Sequence, residues 1–207
     1  MHITILGASG RVGQHVLRLA LEDGHRVKAL ARSPEKLAGM SHDRLSVIQG
    51  NAVCEKDLKA ALEGSEAVVS ALSTDGGTAL SDSFPLIVRL MEERGIKRLV
   101  TVGTAGILQS RLEPGKLRYQ SAESRRSLTR AAEEHHAVLR LLESSALDWT
   151  IVCPTYLPDE PPRGEYRTMR DYLPEGGSRI SVADTADFVR RQLESREFVR
   201  ARVGIAY

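Results

Sequence analysis

Short, nearly continuous apolar runs alternate along the chain with stretches in which apolar residues recur every three or four positions. The runs are ITIL (3–6), RVKALA (26–31), LSVIQ (45–49), AVVSAL (67–72), RLVTV (98–102), WTIVC (149–153) and, more weakly, VRARVGIA (199–206). Val, Ile and Leu are frequent in them, as strands covered on both faces require. The intervening stretches RVGQHVLRLALEDG, EKDLKAALEG and SFPLIVRLMEERG carry helical spacing and close on Gly24, Gly64 and Gly95. Glycine just past the last periodic residue is a common helix stop. Alternation of this kind predicts right-handed crossovers and an α/β, doubly wound, mostly parallel sheet with helices on both faces. No repeat, low-complexity tract or linker divides residues 1–207, so one domain is expected.

Residues 103–121 and 154–178 break the rhythm, with Gly, Pro, Arg and Tyr in place of periodicity. Each follows a predicted strand at its carboxyl end, where open α/β sheets bind ligands. Long loops are uncommon in compact domains unless they are functional or disordered. These two are the expected walls of a substrate pocket.

The first strand runs into GASGRVG (7–13), a GxxGxxG loop that opens the first helix. Gly7 permits the tight turn, Gly10 lets backbone approach a pyrophosphate, and Gly13 lets helix and strand pack closely. The helix start offers free N–H groups to the anion, and Ser9 adds a hydroxyl. Near the end of the second strand, dinucleotide-binding proteins specific for NAD place an acid on the ribose 2′-hydroxyl. This chain has Arg32 and Ser33 there, and Arg11 inside the loop. A guanidinium matches a 2′-phosphate with paired donors, so the expected cofactor is NADPH.

Composition narrows the remaining classes. With 42% hydrophobic residues the 207-residue chain can bury a good core. Its 29 Lys and Arg against 27 Asp and Glu, net +2, do not by themselves suggest nucleic acid. No apolar run approaches the ~20 residues of a membrane span. The start HITIL lacks the features of a signal peptide, and a cytoplasmic protein is expected. Cys54 and Cys153 form no CxxC, so no metal site is expected, and Cys153 reads as a small buried hydrophobe.

With these residues in view, the chain resembles the atypical short-chain dehydrogenases/reductases with a GxxGxxG loop, and within them the NADPH-dependent flavin reductases (biliverdin reductase B type) and their bacterial relatives. The likeness covers nearly the whole chain. It rests on GASGRVG (7–13), ALARSPEKL (29–37), VIQGNAV (47–53), GIKRLVTVGTAGIL (95–108), LLESSALDWTIVCPTYL (141–157) and SRISVADTADFV (178–189). It implies a seven-stranded Rossmann sheet with a pocket over the nicotinamide. On that likeness Gly7, Ser9, Gly10, Arg11, Val12 and Gly13 match the phosphate loop, and Arg32 and Ser33 the 2′-phosphate grip. Asn51 falls beside the adenine where the family usually has Asp, and Ala71 and Leu72 beside the adenosine ribose. Thr104 matches a Ser or Thr near the nicotinamide. Pro154, Thr155 and Tyr156 match the segment that positions the ring, with Tyr156 where the flavin reductases have a histidine. Thr104 and Tyr156 are thus the candidate catalytic residues.

The superfamily's Tyr-xxx-Lys pair is missing: Glu123 follows Tyr119 by four residues, and His135 falls at the position matching the lysine. Alcohol–ketone redox, which needs that relay, loses weight. Hydride transfer to a planar conjugated acceptor (flavin, biliverdin or quinone) keeps it, because the proton can come from solvent. The alternative is a non-catalytic NADP(H)-sensing regulator of the NmrA-like kind, and a sugar-nucleotide epimerase is disfavoured. His135 lies on the stripe Leu128, Ala131, His135, Val138 and Leu142 and is expected to be a hydrogen-bonded core histidine. Arg163, Tyr166, Arg167, Arg170 and Tyr172 suit a flat anionic ligand or, equally, a solvated loop. The arginines at 190, 191, 196, 200 and 202 read as a solvated face. The expected partner is a small planar acceptor, with no nucleic acid and no membrane, and the protein is expected to be a monomer.

Overall fold

In the computed structural model, which describes residues 1–124 and 128–207, the apolar runs become strands of one sheet. In chain order these are β1 (His2–Leu6), β2 (Arg26–Ala31), β3 (Leu45–Gln49), β4 (Ala67–Ser70), β5 (Arg98–Val102), β6 (Asp148–Pro154), β7 (Arg167–Arg170) and β8 (Ala201–Ala206). The helices are α1 (Arg11–Glu22), α2 (Glu55–Leu62), α3 (Ala79–Glu93), α4 (Arg130–Ser144) and α5 (Val182–Arg191). Strand order is β3-β2-β1-β4-β5-β6-β8-β7. Pairing is parallel except between β7 and β8. This is the doubly wound Rossmann-type fold.

In the central strands successive side chains face two apolar layers in turn. Leu6, Val68, Leu99 and Ile151 face the layer beneath α2, α3 and α4. Ile5, Val69, Val100 and Val152, one residue along, face the layer beneath α1 and α5. Burying such a side chain is worth about 1.5–3 kcal/mol. Because both layers are apolar, register rests on side-chain size and on the turns at strand ends. On α1, Val12, Val16 and Ala20 share one helical row and are buried, as are Gly13, Leu17 and Leu21.

The sheet has eight strands where seven were expected. The extra strand is β7, inside the 154–178 stretch, and all four of its residues are exposed. It lies at the edge of the sheet and buries no face, so no alternation marks RTMR; arginines at both ends discourage further pairing. At its other boundaries the pattern needs small corrections. AVVSAL stops as a strand at Ser70, freeing Ala71 and Leu72 for the following loop, and α3 begins at Ala79. Leu128 precedes α4 and is 86% exposed, so the buried face of that helix is Val138, Leu139 and Leu142.

The chain moves outward from β1 to β2 and β3, then returns to β4 on the other side of β1. The carboxyl ends of β1 and β4 therefore form a topological switch point, where such sheets open a crevice.

Candidate functional site

At the switch point Gly7 has φ +77°, and a Cβ there would lie 2.6 Å from the Ala71 carbonyl oxygen. A side chain is thus excluded twice, by the left-handed backbone and by the neighbouring strand end. A Cβ on Gly13 would lie 2.1 Å from the Gly7 carbonyl oxygen, so only glycine lets α1 start this close beneath the loop. Helix α1 begins at Gly10 with no side-chain cap and no acid in its first turn. Its first N–H groups and positive dipole end stay available for an anion.

A groove of about 240 Å³ extends from this loop, walled by Gly7, Ser9, Gly10, Arg32, Asn51, Ala71 and Leu72 among others. The residues fit a dinucleotide: a backbone cradle that a Cβ would fill, an uncapped helix start, and cations at the far end. Lys36, in the 3-10 turn Pro34–Leu37, is a second cation in that wall that sequence reasoning passed over. Its signal was present, since a lysine one turn after Arg32 and Ser33 faces the same way. Other candidates stand behind the wall. Val12 and Gly13 pack beneath the loop, and Ser33 opens the 3-10 turn. Asn51 Oδ1 accepts from Val53 N–H at 3.3 Å, which fixes its own turn.

Both arginines assigned to phosphates carry acidic partners. Arg11 donates to the Leu157 carbonyl oxygen at 2.7 Å and to Asp159 Oδ1 at 3.1 Å, tying the glycine loop to the segment after β6. Arg32 pairs with Asp75, an exposed residue of the loop after β4.

A second cavity of about 410 Å³ opens at the carboxyl ends of β5 and β6 and brings together Thr104, Pro154, Thr155 and Tyr156. Thr104 Oγ1 accepts from Gly106 N–H at 3.3 Å, leaving its hydrogen free to donate. Thr155 Oγ1 donates to the Ser178 carbonyl oxygen at 3.4 Å. The Tyr156 carbonyl oxygen accepts from Ile180 N–H at 3.0 Å, while the Tyr156 side chain stays largely exposed in the wall.

Tyr119 also lines this cavity, and sequence reasoning missed its partner. Its hydroxyl lies 2.9 Å from His136 Nδ1 and accepts from Gln120 Nε2 at 3.2 Å. The lysine position of the Tyr-xxx-Lys pattern is taken by Glu123, which pairs with Arg118 at 3.4 Å instead. Tyr119 finds its histidine seventeen positions later, from another element. Gly106 makes the meeting possible: a Cβ there would lie 3.1 Å from Ala132 Cβ on α4, 3.5 Å from Tyr119 Cβ and 3.6 Å from Thr104 Cγ2. Desolvation, helped by Arg140, holds His136 below the usual histidine range.

Other residues singled out in the sequence lie outside both cavities. The His135 ring, in the middle of α4, makes no hydrogen bond among the described residues, so it is not the hydrogen-bonded core histidine expected. Desolvation pushes its pKa down to about 4. The basic and aromatic residues of 163–172 brace their own loop: Arg163 stacks on Tyr207, Tyr166 donates to Asp187, and Arg170 donates to the Glu197 carbonyl oxygen. Arg202, expected in solvent, is buried and donates to the Ile107 carbonyl oxygen at 2.6 Å, pinning the turn after β5. Cys153 is fully buried, and desolvation pushes its thiol up to about 12.

A Rossmann-type sheet with a glycine cradle at its switch point and a hydroxyl-lined cavity beside it defines a nucleotide-dependent class. Residues 7–196 match a family described as NAD(P)H-binding, and the chain belongs to that family. It is similar to a Bacillus subtilis protein named "Uncharacterized sugar epimerase YhfK", 24% identical over 96% of this chain and 92% of that one. A solved structure from Bacteroides thetaiotaomicron, described as a "putative epimerase", is 27% identical with TM-score 0.86, covering 100% of this chain and 96% of that one. One from Streptococcus pneumoniae, described as a "putative NADH-flavin reductase", has TM-score 0.82 at 24% identity, over 100% and 99% of the two chains, and speaks to the fold.

Proposed function

We propose that the chain is an NADPH-dependent reductase that passes hydride to a planar conjugated acceptor of the flavin, biliverdin or quinone type. The observation that carries this reading is the 410 Å³ cavity after β5 and β6, beside the strand ends that hold the glycine groove. Its size suits a small organic ligand. Arg32 and Lys36 at the far end of the groove favour the 2′-phosphate, hence NADPH.

Reduced nicotinamide, when bound, supplies a hydride. The chain's own residues orient the acceptor, exclude water and hold a proton. Thr104 donates its free hydroxyl hydrogen to the acceptor. Tyr156 offers a flat face for stacking. Tyr119 is the proton donor: Gln120 Nε2–H donates to its oxygen, and in the tautomer whose Nδ1–H makes the His136 contact the phenol's own hydrogen is left for the acceptor. The same two donors hold the phenolate left behind. His136 returns a proton from Nδ1 while Nε2 takes one from solvent, exchange with solvent then restores the Nδ1–H tautomer, and a ring kept neutral by desolvation suits that shuttle. The protein would act as a cytoplasmic monomer on a small molecule.

Relatives named as epimerases favour a second reading, in which hydride returns to the substrate and NADPH is not consumed. NADPH oxidation measured against flavins, quinones, biliverdin and aldehydes separates them. Acceleration well above the protein-free rate by FMN or riboflavin is expected. No acceleration by any acceptor would overturn the reductase; different affinities for NADP⁺ and NADPH would then point to an NmrA-like sensor.

A further inference from the structure

The dinucleotide fold usually draws the acid that accepts from a ribose 2′-hydroxyl from the end of its second strand. Here Arg32 follows the last residue of that strand, and a carboxylate reaches the same end of the groove from the opposite side. Asp75, after β4, pairs with Arg32 across the groove, and both residues line it together with Lys36 and Ser73. The loop is built to present Asp75: its φ is +48°, its N–H donates to Ser73 Oγ at 3.1 Å, and Gly76 follows at φ +71°. A left-handed conformation outside glycine is mainly tolerated by Asp and Asn.

Resting on the reading that this groove holds the adenosine end of the cofactor, we propose that Asp75 is the residue that sets cofactor selectivity, holding down a preference for NADPH that Arg32 and Lys36 create. A 2′-phosphate must take Arg32 away from Asp75 and then sit beside its negative charge. A 2′-hydroxyl leaves the ion pair intact and can donate to the carboxylate. The same carboxylate therefore weakens NADPH binding and supports NADH, so the native chain binds both.

Both residues are exposed, with side chains 66% and 44% accessible, which limits the effect to that of solvated charges. A change of about 1.5- to 5-fold is the scale such pairs produce. The test is the dissociation constants for NADPH and NADH, from nicotinamide fluorescence, for the native protein, Asp75→Asn, Asp75→Gly and Arg32→Ala. Asparagine and glycine both keep the left-handed backbone, so two folded variants carry the result. Asp75→Asn and Asp75→Gly are expected to tighten NADPH by about 1.5- to 5-fold, leave NADH equal or weaker, and lose most of this difference at high salt. If both leave the NADPH/NADH ratio unchanged while Arg32→Ala abolishes the preference, Asp75 has no part in selectivity and the groove reading stands. If none of the substitutions moves the ratio, the groove reading itself fails.

Discussion

The two halves of the candidate site are built by different means. The nucleotide groove is defined by backbone: Gly7, Gly13 and the start of α1 leave no room for any other chain path. The cavity proposed for the acceptor is defined by side chains that converge from the 103–121 stretch, α4 and the end of β6. Backbone constraints are local in sequence and tolerate almost no substitution. Convergent side chains come from distant positions, and each can be exchanged while the fold persists. The halves should therefore fail differently when they are damaged.

The largest effect is expected at Gly13. Gly13→Ala would put a methyl 2.1 Å from the Gly7 carbonyl oxygen and 2.9 Å from Ala8 Cα, both backbone. Neither atom can yield without moving the loop off Ala71. A loss of about 3 kcal/mol or more is expected, with cofactor binding abolished, measured by thermal unfolding and fluorescence titration. An alanine variant of native stability and affinity would show that the groove is not backbone-defined.

In the acceptor half the fold should survive while chemistry suffers. Tyr119→Phe keeps the ring against His136, whose centroid lies 5.8 Å away, and removes only the hydroxyl. If that hydroxyl delivers the proton, turnover with the best acceptor should fall about 100-fold or more, at unchanged NADPH affinity. His136→Gln should cost less and shift the pH profile. An unchanged rate for Tyr119→Phe would return the proton to solvent and leave the cavity a positioning device.

The same division explains which parts of the site are legible in the amino-acid sequence. The glycine loop was legible because its spacing between a strand and a helix encodes one backbone shape. Thr104, Pro154, Thr155 and Tyr156 were picked out by the likeness to the flavin reductases, at or just past the ends of two strong apolar strands, and they line one cavity. The Tyr119–His136 pair was not, since a search at fixed spacing looks four residues on and meets Glu123. Asp75 was hidden for a similar reason: nothing in STDGG announces that its carboxylate meets Arg32, forty-three positions earlier. Strand β7 escaped because an exposed edge carries no hydrophobic alternation.

A smaller effect on stability is expected from His135, which shares α4 with the cavity but serves neither half. Its pKa falls to about 4 through desolvation, whereas an unfolded histidine titrates near 6.5. The unfolded chain thus takes up the proton first. The stability conferred by keeping the ring neutral is complete above about pH 6.5, falls as pH drops toward 4, and levels off below that. The loss should be about 1–3 kcal/mol, discounted for partial exposure of the residue. Urea unfolding of the native protein and His135→Leu between pH 7 and pH 4.5 measures it. The variant should lose less stability over that window, and parallel curves would show that His135 protonates as freely folded as unfolded.

The smallest effect is expected at Tyr156, and it separates positioning from chemistry inside the acceptor half. The Tyr156 hydroxyl makes no hydrogen bond among the described residues, and the residue is 61% exposed at the cavity wall. Nothing among the described residues is placed to pass a proton to that hydroxyl or to hold the oxygen it would leave. The Tyr156 ring, by contrast, offers an apolar face to a flat acceptor. Tyr156→Phe should therefore leave turnover within about 3-fold, whereas Tyr156→Ala should raise KM for the acceptor about 10-fold with little change in kcat. Thr104→Val, which removes a hydroxyl free to donate, should lower kcat more than either. Steady-state kinetics of the three variants with one acceptor tests the order. If Tyr156→Phe alone collapses kcat, the proton comes from Tyr156, and Tyr119 is held by His136 for structure and not for catalysis.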